Sequence, residues 1–384
     1  MTKSLLNFLV TIEDPRLDRT KKHGLLDIMV IAICAVICGA QTWTEIEDFG
    51  DSKKDWFSKF LELKNGIPSH DTFRRVFQIL NPEEFTKVFY NWVSCVNKNL
   101  LQNDHICIDG KSLRGAVDKA RSECSVHVVN AFSTNAGLCL GMLKSSGKKN
   151  EIKTIPEVLK ILNIKGSLVS IDAMGCQLEI AKKIIDQEGD YLLALKSNHK
   201  YLEKRVKKIF EDSKKGGKRN YVLDRYEETN KGHGRQEKRI CRVIRGKEDK
   251  HLGINILGKW PQLESVVEVI SKRKVKVTGK SSIESRYFIC STKDSAETLL
   301  KKVRSHWQIE NKLHWSLDVS LREDECQTKD EVGAVNFSIL RHIALNLIKT
   351  EAEKKSVRRK QKMAGWDESY LLKILLNNGL SMVI

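Results

Sequence analysis

Two carboxylates in this chain follow runs that read as buried. In "HICIDGKSL" (105–113) Asp109 stands behind Ile106, Cys107 and Ile108, and in "LVSIDAMG" (168–175) Asp172 stands behind a second apolar run. A buried carboxylate is costly unless a cation or hydrogen-bond donor meets it. Farther on, in "VRSHWQIENKLHWSLDV" (303–319), Trp307, Glu310, Leu313, His314 and Leu317 recur at helical spacing, which predicts Glu310 on a largely apolar face. Three acids gathered over the strand ends of an α/β sheet would hold two divalent metals through oxygen ligands. Two such ions, about 3.5–4 Å apart, activate one oxygen and stabilise the leaving one in phosphodiester displacement. Lys111 and Arg114 follow Asp109 closely enough to touch a phosphate.

Each acid also has an ordinary reading. Asp before Gly starts turns, and Asp after a strand caps the next helix. His306, Glu310 and His314, at i, i+4 and i+8, offer a rival zinc set, but HExxH is absent and the helical step fans the outer two apart. Asp109-Gly110-Lys111 also fits the D-x-K of a restriction-type nuclease, in which Lys111 would be catalytic and Glu310 would have no role.

The elements that must position these residues follow from periodicity. Residues 1–98 read as helical: one helix over 25–38 ends near Gly39, and another starts at Thr42 or Thr44 and runs towards Leu63. A third is capped by Ser69, with Phe73, Val76, Phe77 and Leu80 inward and Arg74 and Arg75 outward. From 104 to 196 short β-rich runs alternate with helices in the order β-β-β-α-β-α-β, the pattern of a mixed α/β sheet. A basic helix over 198–213 precedes four more strand-like runs, and helices return after residue 293. The predicted division is an N-terminal helical domain that is a candidate DNA-binding unit (1–98), the first part of a core (99–215), a β-rich basic insertion (216–292) and C-terminal helices completing the core (293–384). Trp307 and Trp315 are expected as core anchors, and Asp318, Glu323 and Asp324 as a solvated helix end or a shell around the site.

Composition narrows the partners. The 384 residues carry 67 Lys+Arg against 49 Asp+Glu, a net charge of +18 and a pI near 9.4, which points to a polyanion, with nucleic acid foremost. Residues 198–250 and the Lys354–Lys362 stretch concentrate this charge. Ten cysteines are scattered without a CxxC pair, as in a reducing compartment, which excludes a zinc ribbon or a disulfide framework. The apolar run 25–40 contains Asp27 and falls short of the roughly 20 residues a membrane span requires. With no secretory signal legible, a cytoplasmic, nucleoid-associated protein is expected.

The stretches "IDGKSLRGA", "SIDAMGCQLEIAKKII", "GDYLLALKSN", "GHGRQEKR" and "VRSHWQIENKLHWSLDVSLREDE" together resemble the H-repeat-associated insertion-sequence transposases, a branch of the DDE recombinases. "IPSHDTFRRVF" and "RHIALNLIK" extend the resemblance over nearly the whole chain. It implies an RNase H-like catalytic core, of which residues 99–215 are the first part, with Asp109, Asp172 and Glu310 as a triad holding two Mg²⁺ or Mn²⁺ ions. It also implies a β-rich insertion before the Glu, cleavage and strand transfer on double-stranded DNA at element ends and target, and a homodimer on DNA. Lys196, His233 and Arg235 are further candidate DNA contacts, and Gly232 and Gly234 read equally well as a turn between insertion strands. Tyrosine, arginine and lysine slots around the Glu hold Val303, His306 and Leu317 instead, which makes His306 and Lys312 the substitute phosphate contacts. A catalytically lapsed copy that persists as a DNA-binding protein is the alternative.

Overall fold

The computed structural model describes residues 4–96, 103–116, 126–147, 150–196, 199–214, 222–232, 234–245 and 259–376. The architecture is α/β and RNase H-like: a bundle of N-terminal helices leads into a mixed sheet interleaved with helices. The chain divides into two compact units, one of residues 1–101, 110–162 and 309–384, the other of residues 102–109 and 163–308.

The first unit is built on helices. α1 (Leu5–Leu9) leads to α2 (Leu25–Cys38), which after Asp27 in its first turn is apolar all round and buried from Ile28 to Ile37, as an interior helix must be. Gly39 ends it at φ 106°, a conformation that side chains with a Cβ rarely adopt. α3 (Trp43–Ser52) starts at a capping box in which Thr42 and Glu45 satisfy each other's backbone N–H, and α4 (Lys54–Phe57) follows. α5 (His70–Ile79) is capped by Ser69 and turns Phe73, Val76 and Phe77 inward, with Arg74 and Arg75 exposed as the spacing predicts. α6 (Pro82–Val96) closes the N-terminal set.

The same unit contains the last residues of β1 (His105–Leu113), the antiparallel pair β2 (Val126–Ser133) and β3 (Cys139–Ser145), and α7 (Glu151–Ile161), which packs on that pair. The three C-terminal helices are Glu331–Thr350, Val357–Trp366 and Glu368–Leu376. The long Glu331–Thr350 helix is buried from Gly333 to Ile348 and packs on α2, α5 and α6; Trp43 lies 5.1 Å from the Phe77 ring and 4.6 Å from Phe337. The first and last helices of the chain therefore share one core. Among the described residues no single helix is long and apolar enough to cross a membrane.

In the second unit the first half of β1 pairs in parallel with β4 (Leu168–Ile171), and β4 in parallel with β5 (Asp190–Leu195). Four further strands extend this sheet: β6 (Leu223–Gly232), β7 (Arg235–Arg245), β8 (Ser265–Val275) and β9 (Ser281–Cys290). β9 pairs antiparallel with β5, and β8, β7 and β6 follow in turn. The insertion strands thus continue the core sheet within this unit. α8 (Leu178–Asp186) and α9 (Lys200–Lys214) precede them, and α10 (Ala296–His306) lays Ala296, Leu299, Leu300 and Val303 against Val243, Val267 and Cys290. All nine described cysteines are free.

Candidate functional site

β1 and β4 run parallel in a register that sets Ile108 opposite Ile171. Asp109 and Asp172 are the next residues of the two strands, so the second unit brings these carboxylates to neighbouring positions on one sheet edge, each half-buried. β1 does not stop at Asp109 as the sequence suggests; it continues to Leu113, and Asp109 marks where its described pairing with β4 ends. Asp172 does leave its strand there. Its Oδ1 accepts the N–H groups of Met174 (3.0 Å) and Gly175 (3.3 Å), tightening the turn that precedes α8. Lys196, exposed, directly follows β5, which is the next parallel strand along this edge.

Glu310 lies in the other unit, on a segment wound as π-helix from Ile309 to His314 and again from Ser316 to Ser320. A π-turn takes more residues than the 3.6 of an α-turn, so a stripe drawn at α-spacing slips around the axis. Ile309, Leu313, Ser316 and Leu317 are buried, whereas Glu310 and Lys312 are exposed. This corrects the expectation that Glu310 faces an apolar surface. Trp307 and Trp315 are likewise 40% and 56% exposed, so neither is a core anchor; the Arg286 guanidinium covers the Trp307 ring at 5.1 Å.

Lys111, expected on a phosphate, is buried, and its ammonium is held by Asp318 at 2.7 Å, Glu323 at 2.8 Å and Asp324 at 3.5 Å. Burial alone would lower its pKa, but the Glu323 and Asp318 charges reverse that and raise it. Arg322 enters the left-handed region at φ 49° as the chain turns to bring Glu323 inside. Sequence reasoning left these acids at a solvated helix end. The usable signal was that Lys111 alternates with Leu113 on one face of a strand and so needs buried partners. Arg114 is exposed, 3.9 Å from Asp324.

His306, the other expected phosphate contact near Glu310, donates no positive charge at neutral pH. Burial lowers its pKa to about 4 against a smaller upward pull from Asp172, and its Nδ1 meets the Ser170 hydroxyl at 2.7 Å. His233 lies outside the described residues, as do Ser197 and Asn198, which follow Lys196 in the sequence. Arg235 is exposed at the start of β7.

The outer half of β7 and β8 carries exposed positive charge. Lys272 stands directly across from Lys238, and Lys274 from Gln236. Residues opposite one another share a face, and like charges so placed repel. Lys238 is paired with Glu227, whereas Lys272 and Lys274 are exposed and make no ion pair among the described residues. Arg273, on the opposite face, is taken up by Glu237.

A two-ion site needs several converging oxygen ligands. Asp109 and Asp172 supply two carboxylates on one edge, and one Asp172 oxygen already accepts two backbone N–H groups. Among the described residues no group of three or more His, Cys, Asp or Glu side chains is gathered as a metal set.

Residues 101–347 match the family described as transposase DDE domain, and residues 6–93 match its DDE_Tnp_1-associated family. The "H repeat-associated putative transposase YhhI" of Escherichia coli K12 is 39% identical over 383 residues, covering 99% of both chains. The "Inactive transposase YbfQ" of the same strain is 42% identical over 74 residues, 19% of this chain and 88% of its own length. A solved piggyBac transposase synaptic complex with hairpin DNA aligns at a TM-score of 0.39 and 10% identity, covering 97% of this chain and 79% of that one.

Proposed function

Because the chain belongs to the transposase DDE domain family, we propose that it binds double-stranded DNA at insertion-sequence ends through the basic outer half of its sheet, as a transposase-derived protein in which binding is uncoupled from strand cleavage. The observation that carries this reading is Lys272 facing Lys238, with Lys272 and Lys274 unneutralised. A phosphate backbone supplies the missing anions and releases counterions on binding, so affinity falls steeply with salt. The uncoupling is supported by the finding that, among the described residues, no group of three or more His, Cys, Asp or Glu side chains is gathered as a metal set.

The adjacent placement of Asp109 and Asp172 favours a second reading, an active transposase that cleaves and joins strands with Mg²⁺ or Mn²⁺ and uses Asp109, Asp172 and Glu310. In it Arg114, Lys196, Arg235 and Lys312, all exposed, contact DNA, and two copies of the chain bridge paired ends. One assay separates the two. Purified protein is mixed with element-end duplex and Mg²⁺ or Mn²⁺ beside a working control transposase. Binding without nicking is the result expected; nicking that Asp172→Asn abolishes would establish the second reading, and failure to bind any DNA would defeat both.

A further inference from the structure

A polar chain lies inside the second unit that neither reading employs. Ser305, on the last turn of α10, meets His105 Nδ1 at 2.8 Å; His105 Nε2 meets the Ser170 hydroxyl at 2.7 Å; and Ser170 meets His306 Nδ1 at 2.7 Å. His105 and Ser170 are 6% and 2% exposed.

A hydroxyl carries one proton and a neutral imidazole carries one, so settling the direction of any link settles them all. Ser305 settles it. Its Oγ donates at 3.0 Å to the Lys302 carbonyl, an oxygen that can only accept. Having given its proton there, Ser305 Oγ must accept from His105 Nδ1–H. His105 Nε2 then holds a lone pair and takes the Ser170 proton. The Cys107 sulfur, 3.6 Å from Ser170, is the weaker acceptor of the two. Ser170 Oγ in turn accepts from His306 Nδ1–H, which leaves His306 Nε2 unprotonated. That nitrogen has no protein partner among the described residues, and the ring is half-buried near Asp172.

We propose that Ser170 is a positioning residue which fixes His306 as a neutral acceptor, Nδ1 protonated and Nε2 bare, facing a proton donor such as water or a nucleic-acid hydroxyl rather than a phosphate oxygen. Burial supports this by holding both rings neutral, with the His105 pKa lowered to about 3. A phosphate oxygen at neutral pH offers no proton to a bare nitrogen, so the chain excludes the anion contact that sequence position suggests.

The test is long-range proton–nitrogen NMR on the ¹⁵N-histidine-labelled full chain at pH 7, with His306→Gln to assign its ring. The expected spectrum shows one protonated nitrogen, Nδ1, in His306. Ser170→Ala, and independently the milder Ser305→Ala, should shift the ring nitrogens towards a mixture of tautomers. Added inorganic phosphate should leave them unmoved. A His306 ring protonated at Nε2 or at both nitrogens, a pattern indifferent to both serine variants, or a saturable shift with phosphate would overturn the proposal. None of these readouts depends on DNA binding or cleavage, so the inference stands or falls apart from the proposed function.

Discussion

Lys111 and Glu323 form an ion pair at 2.8 Å between side chains that are 6% and 1% exposed. The second Glu323 oxygen accepts the Ser338 hydroxyl at 2.6 Å, so the carboxylate links the end of β1 to the long C-terminal helix inside one unit. Removing one partner of such a pair leaves an uncompensated buried charge, which is the costly direction. Lys111→Met should therefore lower unfolding stability by about 3–5 kcal/mol, and adding Glu323→Gln should recover part of the loss. Urea denaturation measures both. A Lys111→Met protein of unchanged midpoint but weakened DNA binding would return Lys111 to the phosphate role first expected of it.

The acid limb of stability has a stated shape. Burial holds His105 neutral down to about pH 3, whereas its imidazole in the unfolded chain takes up a proton below about 6.5. Over that window the unfolded state binds the extra proton, so stability is full above it and falls as pH drops, by up to about 1.4 kcal/mol per pH unit. Glu323 acts lower. Burial raises its pKa, but Lys111, with His342 and Arg341, outweighs that and brings it to about 2. Its contribution is present above the unfolded value of 4.5 and is lost as pH falls towards 2. His105→Gln should reduce the slope between pH 6.5 and 3 while leaving the part that Glu323 contributes below 4.5; a parallel curve for the variant would contradict the neutral buried ring.

Gly115 marks a close approach. A Cβ there would meet the Cys326 carbonyl, with the Cys326 nitrogen at 2.6 Å and the Asp324 carbonyl at 2.8 Å. All three are backbone atoms, so no side chain can swing away. Gly115→Ala should cost about 1–3 kcal/mol by pushing back the segment that carries Glu323 and Asp324. Gly232→Ala, with open space around its Cβ and no left-handed φ, is the control for the change of residue alone. A loss at Gly115 no larger than at Gly232 would show that the contact with residues 324–326 is unimportant.

Element order was legible from the chain because period two and period 3.6 differ strongly over the lengths concerned: α2 at Leu25–Cys38, the Ser69 cap and the alternation from β1 to β5 all stand where the patterns place them. The neighbouring positions of Asp109 and Asp172 required one further fact, that β1 and β4 pair in parallel with Ile108 opposite Ile171. The apolar face expected around Glu310 is not found because spacing arguments assume 3.6 residues per turn, and the π-helical segment breaks that assumption. Lys111 was misread because sequence records its charge but not the fold that brings residues 318–324 to it. Partner choice for a buried ion is a tertiary property.

Lys272 and Lys274 provide the most direct test of nucleic-acid binding, because the fold gives them nothing else to do. They occupy alternate positions of β8 on one face, opposite Lys238 and Gln236, exposed and without an ion pair among the described residues. Replacing both with Ala removes repulsion against Lys238, so stability should hold or rise slightly. If both meet phosphates, each contributes one released counterion. The plot of log affinity against log salt for element-end duplex should then flatten by about 2, and binding should weaken alike for related and unrelated sequences. Lys59→Ala, on the exposed surface of the N-terminal helices, should leave the slope unchanged. An unaltered slope in the double variant of a folded protein would remove β8 from the DNA interface, and with it the observation on which the binding proposal rests.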